Sequence, residues 1–150
     1  MNIVLIEPKM PANVGNIIRL CANTGAHLHL VGPMPFSLDD QKLKRAGLDY
    51  REWAHIQTYT NWDAFPHRSG LVGCSTRSEH SYHTYQFPLD AWLVFGSEDK
   101  GLSASIRTEP CWNHWIKIPM QPKSRSLNLA NSVAVILYEA LRQHEFPSLI

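Results

Sequence analysis

"QPKSRSLNLANSVAVILYEALRQ", residues 121–143, runs from a polar, proline-led loop into an apolar helix. The helix is expected over about 127–144. Leu129, Val133, Ile136, Leu137, Ala140 and Leu141 fall on one face at helical spacing, so that face should be buried. A second, mainly polar stripe of Asn128, Asn131, Val135, Tyr138 and Arg142 lies beside it. Such a stripe suits a solvated face, a subunit interface or a nucleotide contact. The loop is harder to explain. One polar side chain is enough to cap a helix, yet Lys123, Ser124, Arg125, Ser126 and Asn128 crowd this mouth.

Outward from that helix, the chain alternates strands with helices. "NIVLIE" (2–7) is a continuous apolar, β-branched run, as in a strand buried on both faces. "LHLVG" (28–32), "HIQTYT" (55–60), "GLVGCST" (70–76), "AWLVFG" (91–96) and "WIKIPM" (115–120) read as further strands. Between them, 12–25 reads as a helix capped by Asn13 and stopped at Gly25. Residues 37–47 read as a helix with Ser37 as cap, acids in its first turn and bases in its last. "WDAFP" and 102–108 read as short helices. The pattern predicts an α/β fold, a mostly parallel sheet flanked by helices. Its length fits a single domain, 1–150, with no proline–glycine linker inside it.

Composition narrows the function. Fourteen basic groups against 13 acidic give a net charge of +1, so any nucleic-acid site is local or doubled by oligomerisation. Three cysteines without a C-x-x-C pair fit a reducing cytoplasm rather than a disulfide frame. The eight histidines are scattered; His27 and His29 can share a strand face, but no third ligand stands at a telling spacing, so no metal is expected. Apolar runs are too short for a membrane span, and the N-terminus lacks the basic region of a signal peptide. G-x-G-x-x-G after the first strand, G-x-x-x-x-G-K-[ST] and G-x-S-x-G are all absent, which argues against dinucleotide, triphosphatase and hydrolase chemistry.

Three polar loops leave strand ends: "CSTR", "FGSEDKGL" and "MQPKSRS". In an open parallel sheet, ligands bind outside the carboxyl ends of the strands, so these loops form a candidate crevice with three walls. Gly96 and Gly101 bracket Ser97, Glu98, Asp99 and Lys100, either as a solvated turn or as a close backbone approach to a ligand. In "NVGNIIR", Arg19 stands alone among Ile17, Ile18 and Leu20, a solvated cation on the plainest reading.

"NVGNIIRLCANTG", "LVFGSEDKGL" and "IPMQPKSRSLNLANSVAVILYEALRQ" together resemble, in order and spacing, the three motifs of the SpoU branch of the SPOUT methyltransferases. With "LKRAGLDY" (43–50), the chain resembles more narrowly the small stand-alone tRNA wobble-position 2′-O-methyltransferases, which act on cytidine or a modified uridine. The resemblance implies a deep trefoil knot in the C-terminal part, a rarity among folds. It implies S-adenosylmethionine held by Cys74, Gly96, Ile118, Ser126 and Leu127, and a homodimer with the site near its interface. It also implies transfer of a methyl group to a ribose 2′-hydroxyl in the anticodon region of tRNA.

The same resemblance makes Arg19 the catalytic residue. A guanidinium, with a pKa above roughly 12, is a poor base and is better suited to fixing a phosphate or a developing alkoxide. Glu98 is then expected to orient Arg19, and Asn13 and Asn128 to hold the ribose with Ser124 nearby. The tRNA is expected to meet Lys42, Lys44, Arg45, Lys123 and Arg142. Two other readings fit parts of the chain: a flavodoxin-like α/β module that binds a partner without catalysis, and a SPOUT fold that only binds RNA. Affinity for S-adenosylmethionine separates them.

Overall fold

The computed structural model describes residues 1–47 and 54–150. In chain order the elements are β1 (Asn2–Ile6), α1 (Pro11–Thr24), β2 (His27–Val31), α2 (Gln41–Gly47), β3 (His55–Tyr59), β4 (Leu71–Cys74), β5 (Trp92–Phe95), α3 (Ala104–Arg107), β6 (Trp112–Ile116) and α4 (Leu129–Gln143). The strands form one sheet in the order β3-β2-β1-β5-β4-β6, and every pair is parallel. The first half of the chain fills one wing outward from β1. The second half fills the other, with β5 placed between β1 and β4. The order therefore switches beside β1, where an open parallel sheet makes its crevice.

Alternate residues of each strand serve opposite faces. Ile3, Leu5, Leu28, Leu30, Leu93 and Phe95 pack with α1, α2 and α4. Val4, Ile6, Val31, Leu71 and Val94 pack on the other face with Trp62, Phe65, Leu102 and Ile106. The six apolar positions expected to make the buried stripe of α4 are all buried. Each large side chain withdrawn this way contributes about 1.5–3 kcal/mol.

Several boundaries differ from the pattern reading, for local reasons. The helix expected from Ser37 begins at Gln41, because Ser37–Asp40 is a turn and Asp40 Oδ1 accepts from the N–H of Lys42 at 2.8 Å. β6 starts at Trp112, earlier than the apolar run "WIKIPM", and ends at Ile116, which leaves 118–128 to the loop. Pro11 occupies the first turn of α1, where its missing N–H costs nothing. Met10, not Asn13, is the N-cap there, and it makes no side-chain cap. Gly25 closes α1 at φ 72°. Of "LKRAGLDY", residues 48–50 lie outside the described residues.

His29 lies within β2, 4% exposed, with its ring nitrogens 3.2 Å from Tyr59 Oη and 3.2 Å from Asn2 Oδ1. Burial, followed by the nearby His27 and His67, pulls its pKa from 6.5 to about 4. The unfolded chain thus binds an extra proton between those values, and stability falls as the pH drops through that window. We expect the urea midpoint to fall between about pH 7 and about pH 4.5, and His29→Gln to flatten that fall. An unchanged pH profile in the variant would show that His29 is not the group responsible.

Candidate active site

The carboxyl ends of β4, β5 and β6 open into a cleft of about 690 Å³. Its walls are the loop after β4, the loop after β5 and the segment before α4. Phe95, Leu102, Ile116, Ile118 and Leu127 supply apolar surface, and backbone of all three loops supplies polar groups. Volume and lining suit a nucleoside-sized ligand with an apolar ring and a polar tail.

A chain of hydrogen bonds ties the three motifs together. Asn128 Oδ1 caps α4 by accepting from the N–H groups of Ala130 (2.9 Å) and Asn131 (3.3 Å). Its amide donates to Asn13 Oδ1 at 2.9 Å. The Asn13 amide donates to Glu98 Oε1 at 3.0 Å. The Glu98 carboxylate also accepts the N–H of Lys9 at 2.7 Å and of Met10 at 3.0 Å. Glu98 was expected to orient Arg19. Its two oxygens instead fix the approach to α1, which has no side-chain cap of its own.

Gly96 also has a packing reason. A Cβ built there would lie 2.2 Å from Gly101 C and 2.3 Å from Leu102 N. The loop from Ser97 to Gly101 closes on itself through the Gly101 N–H donating to the Ser97 carbonyl at 2.9 Å, and Gly101 turns it at φ 67°. A side chain at 96 therefore collides with its own loop before it meets any ligand.

All five residues expected to hold the cofactor, Cys74, Gly96, Ile118, Ser126 and Leu127, line the cleft. Burial pushes the Cys74 thiol well up, so it is protonated and no nucleophile. Asn13, Glu98 and Asn128 line the cleft too, while Ser124 does not. Arg19 lies elsewhere, in a second cleft of about 730 Å³ between α1 and α4 with Asn131, Tyr138 and Ile150. Lys42, Lys44 and Arg45 are exposed on α2, and Lys123 on the loop; Lys44 Nζ is 3.8 Å from Asp39. Arg142 makes two hydrogen bonds to Glu139, at 2.8 and 2.9 Å, which hold that carboxyl down to about 2.

The sequence reading did not assign Arg77, Lys117 or Arg107, which also line the cleft. Arg77 closes a loop already singled out as polar. Arg107 lies in α3, outside every motif, and only the fold brings it in. Among the described residues no three His, Cys, Asp or Glu side chains gather in a metal-binding group, and no helix is long and apolar enough to cross a membrane.

Residues 1–138 match the SpoU rRNA Methylase family, and the chain belongs to it. A tRNA (cytidine(34)-2′-O)-methyltransferase of Methylovorus glucosotrophus is 49% identical, over 97% of this chain and 96% of its own. A solved structure concerned with the 2-OH methylation of C/U34 on tRNA superposes with a TM-score of 0.87 at 38% identity, covering 96% of this chain and 95% of that one. The SpoU methyltransferase AviRb from Streptomyces viridochromogenes, in complex with AdoMet, superposes at 0.84 with 28% identity, over 97% of this chain and 60% of that one.

The amide chain makes a stability prediction. Asn13→Ala should cost about 1–2 kcal/mol in urea unfolding, and Asn128→Ala more, since it also removes a cap. The double variant should show a coupling of about 0.5–1.5 kcal/mol. Strict additivity would mean that the two amides are not bonded to each other.

Proposed function

We propose that this chain transfers a methyl group from S-adenosylmethionine to the ribose 2′-hydroxyl of nucleotide 34, the wobble nucleotide, of tRNA, with cytidine or a modified uridine as target. The observation that carries this reading is the cleft at the carboxyl ends of β4–β6, built by the loops after β4 and β5 and the segment before α4 and lined by all five expected cofactor residues. The relatives named for cytidine 34 match nearly end to end, which favours this activity over a binding module without catalysis. S-adenosylmethionine, when bound, supplies a methyl already activated by its sulfonium. Ile118 and Leu127 would hold its adenine, with backbone at Cys74, Gly96 and Ser126 meeting its polar groups.

The cofactor segment is the part we assign to a deep trefoil knot. Supporting this, β6 continues into a parallel bridge between Ser81 and Lys117, where Lys117 N–H donates to His80 O at 2.8 Å and Tyr82 N–H to Lys117 O at 2.9 Å. The chain then returns through 118–128 to α4, which packs beside α1. A bridge of this kind is what would hold 80–82 across the path of a threaded segment.

The working unit we assign is a homodimer in the cytoplasm, where tRNA is modified. Met10 and Leu127, just before α1 and α4, and Val135 and Tyr138 in the middle of α4, are large apolar side chains between 38% and 49% exposed, the kind of surface a partner covers. Arg19 lies on that same side, in a cleft apart from the cofactor cleft. A two-fold partner can bring its Arg19 to the cofactor cleft opposite. There the guanidinium would fix the phosphate beside the target ribose and stabilise the developing alkoxide. Asn13, Glu98 and Asn128 would act through the backbone they hold, and Ser124 would complete the ribose side.

Arg19→Ala should leave calorimetric affinity for S-adenosylmethionine within a few-fold and lower single-turnover methylation of tRNA by about a hundredfold or more. Gly96→Val should bind no cofactor. Mixed, the two inactive variants should regain about a quarter of the wild-type sites through heterodimers. If mixing restores nothing while each variant is folded and dimeric, Arg19 does not act across the interface. If the wild type binds no S-adenosylmethionine, the enzyme reading itself fails.

A further inference from the structure

A groove of about 460 Å³ adjoins the cofactor cleft on the side of α3 and β6. Arg77 and Arg107 line both hollows and so form the ridge between them. Neither arginine makes a side-chain hydrogen bond or ion pair among the described residues, and Arg107 Nε is buried without an acceptor. Arg68 pairs with Glu109 and Arg142 with Glu139, while among the described residues only the Arg107 Nε is a buried side-chain donor without a partner. Buried guanidinium donors left without partners are uncommon in a native fold and need an explanation.

The ring beneath Arg107 is firmly set. Its guanidinium carbon lies 5.5 Å from the Trp115 ring centroid. Trp115 lies so close over Gly73 that a Cβ there would come within 2.3 Å of it, and Trp112 packs beside it with ring centroids 4.4 Å apart. The Ser78 hydroxyl donates to the Trp115 carbonyl at 2.8 Å, which fixes the loop that carries Arg77. At the far end of the groove, His80 lies 4.9 Å from His114, which stacks on Tyr85 at 4.8 Å and 12°. Glu79 is the one acid lining the groove among the described residues.

We infer that Arg77 and Arg107 form a subsite for an RNA backbone phosphate, and that the groove behind them receives a nucleotide flanking the methylated one. The inference rests on tRNA being the substrate. Single-stranded RNA is held by cations along its backbone and by planar side chains against its bases. Two unpaired guanidiniums on a ridge, one stacked on tryptophan, with exposed histidine beyond, match both demands.

The test uses full-length protein with S-adenosylmethionine and unmodified tRNA. Arg77→Ala and Arg107→Ala should each weaken tRNA binding roughly tenfold at moderate salt, and the double variant should lower the slope of log K against log salt by about 0.7–0.9, the value for the one phosphate they share. Calorimetric affinity for S-adenosylmethionine should stay within a few-fold. Glu79→Gln, which removes the groove's acid, should tighten tRNA binding, a gain that misfolding cannot produce. An unchanged tRNA slope in the double variant would overturn the inference while leaving the methyltransferase intact. Loss of cofactor affinity with tRNA affinity preserved would also overturn it and assign the ridge to the cofactor's carboxylate. A wild-type protein that binds no tRNA would instead sink the substrate reading on which it depends.

Discussion

The hydrogen bonds running from Asn128 through Asn13 to Glu98 are the constraint on which the site depends. They join the start of α4, the first turn of α1 and the loop after β5, three segments far apart in sequence. Each link uses its neighbour's spare capacity: an amide has both a donor and an acceptor end, and a carboxylate only accepts. Asn128 spends its oxygen on the α4 cap and its nitrogen on Asn13. Asn13 spends its oxygen on Asn128 and its nitrogen on Glu98. The carboxylate at the end takes the two backbone donors that precede a helix begun by proline. Asp at 13 or 128 would set an acceptor against an acceptor, and Gln at 98 would set a donor against a backbone donor, whereas Gln at 13 or 128 or Asp at 98 would keep the pairing chemistry and change only the reach. Two of the three cleft walls, the loop after β5 and the segment before α4, are therefore tied to each other through α1, and they do not need a ligand to bring them together.

This changes what the polar residues at the mouth of the last helix mean. Polar groups beyond the needs of a cap were first explained by substrate, and part of that explanation gives way to architecture. Asn128 is a cap and a tie at once. Arg125 and Ser126 line the cleft, whereas Ser124 and Lys123 lie outside it on the exposed loop. Gly96 likewise makes room for the backbone of its own loop, so its replacement perturbs wall and pocket together.

Much of the fold was legible because its strands are short apolar runs and α4 repeats its apolar face for four turns. Periodicity reports burial, and burial is what those elements share. The boundaries that moved were set by hydrogen bonds that periodicity does not record. Asp40 rather than Ser37 starts α2, and β6 begins in "CWNHW", where polar residues mask a strand at the sheet edge. The cleft lined by the expected cofactor residues was legible through three polar loops at strand ends, since strand ends and glycines mark where backbone can approach a ligand. Glu98's true partners were not, because Lys9 and Met10 offer backbone N–H groups that no sequence pattern distinguishes. Arg107 was illegible for a similar reason: its place beside the cleft comes from the crossover between β5 and β6, not from neighbours in the chain.

Charge follows the same division. A net charge of +1 gives no field strong enough to gather RNA over the whole surface. Arg68 and Arg142 face carboxylates of their own chain. Arg77, Arg107, Lys117 and Arg125 instead gather around the mouth of the cofactor cleft, where Glu98 is already committed to three donors. A near-neutral protein can therefore present a locally basic rim, where the lining cations Arg77, Lys100, Arg107, Lys117 and Arg125 outnumber the acids Glu98 and Asp99. On the two-fold assembly proposed above, that rim would be met by the partner's Arg19. Under the proposed arrangement catalysis would be tied to the assembled dimer, because within one chain Arg19 lies in a cleft apart from the one lined by the expected cofactor residues.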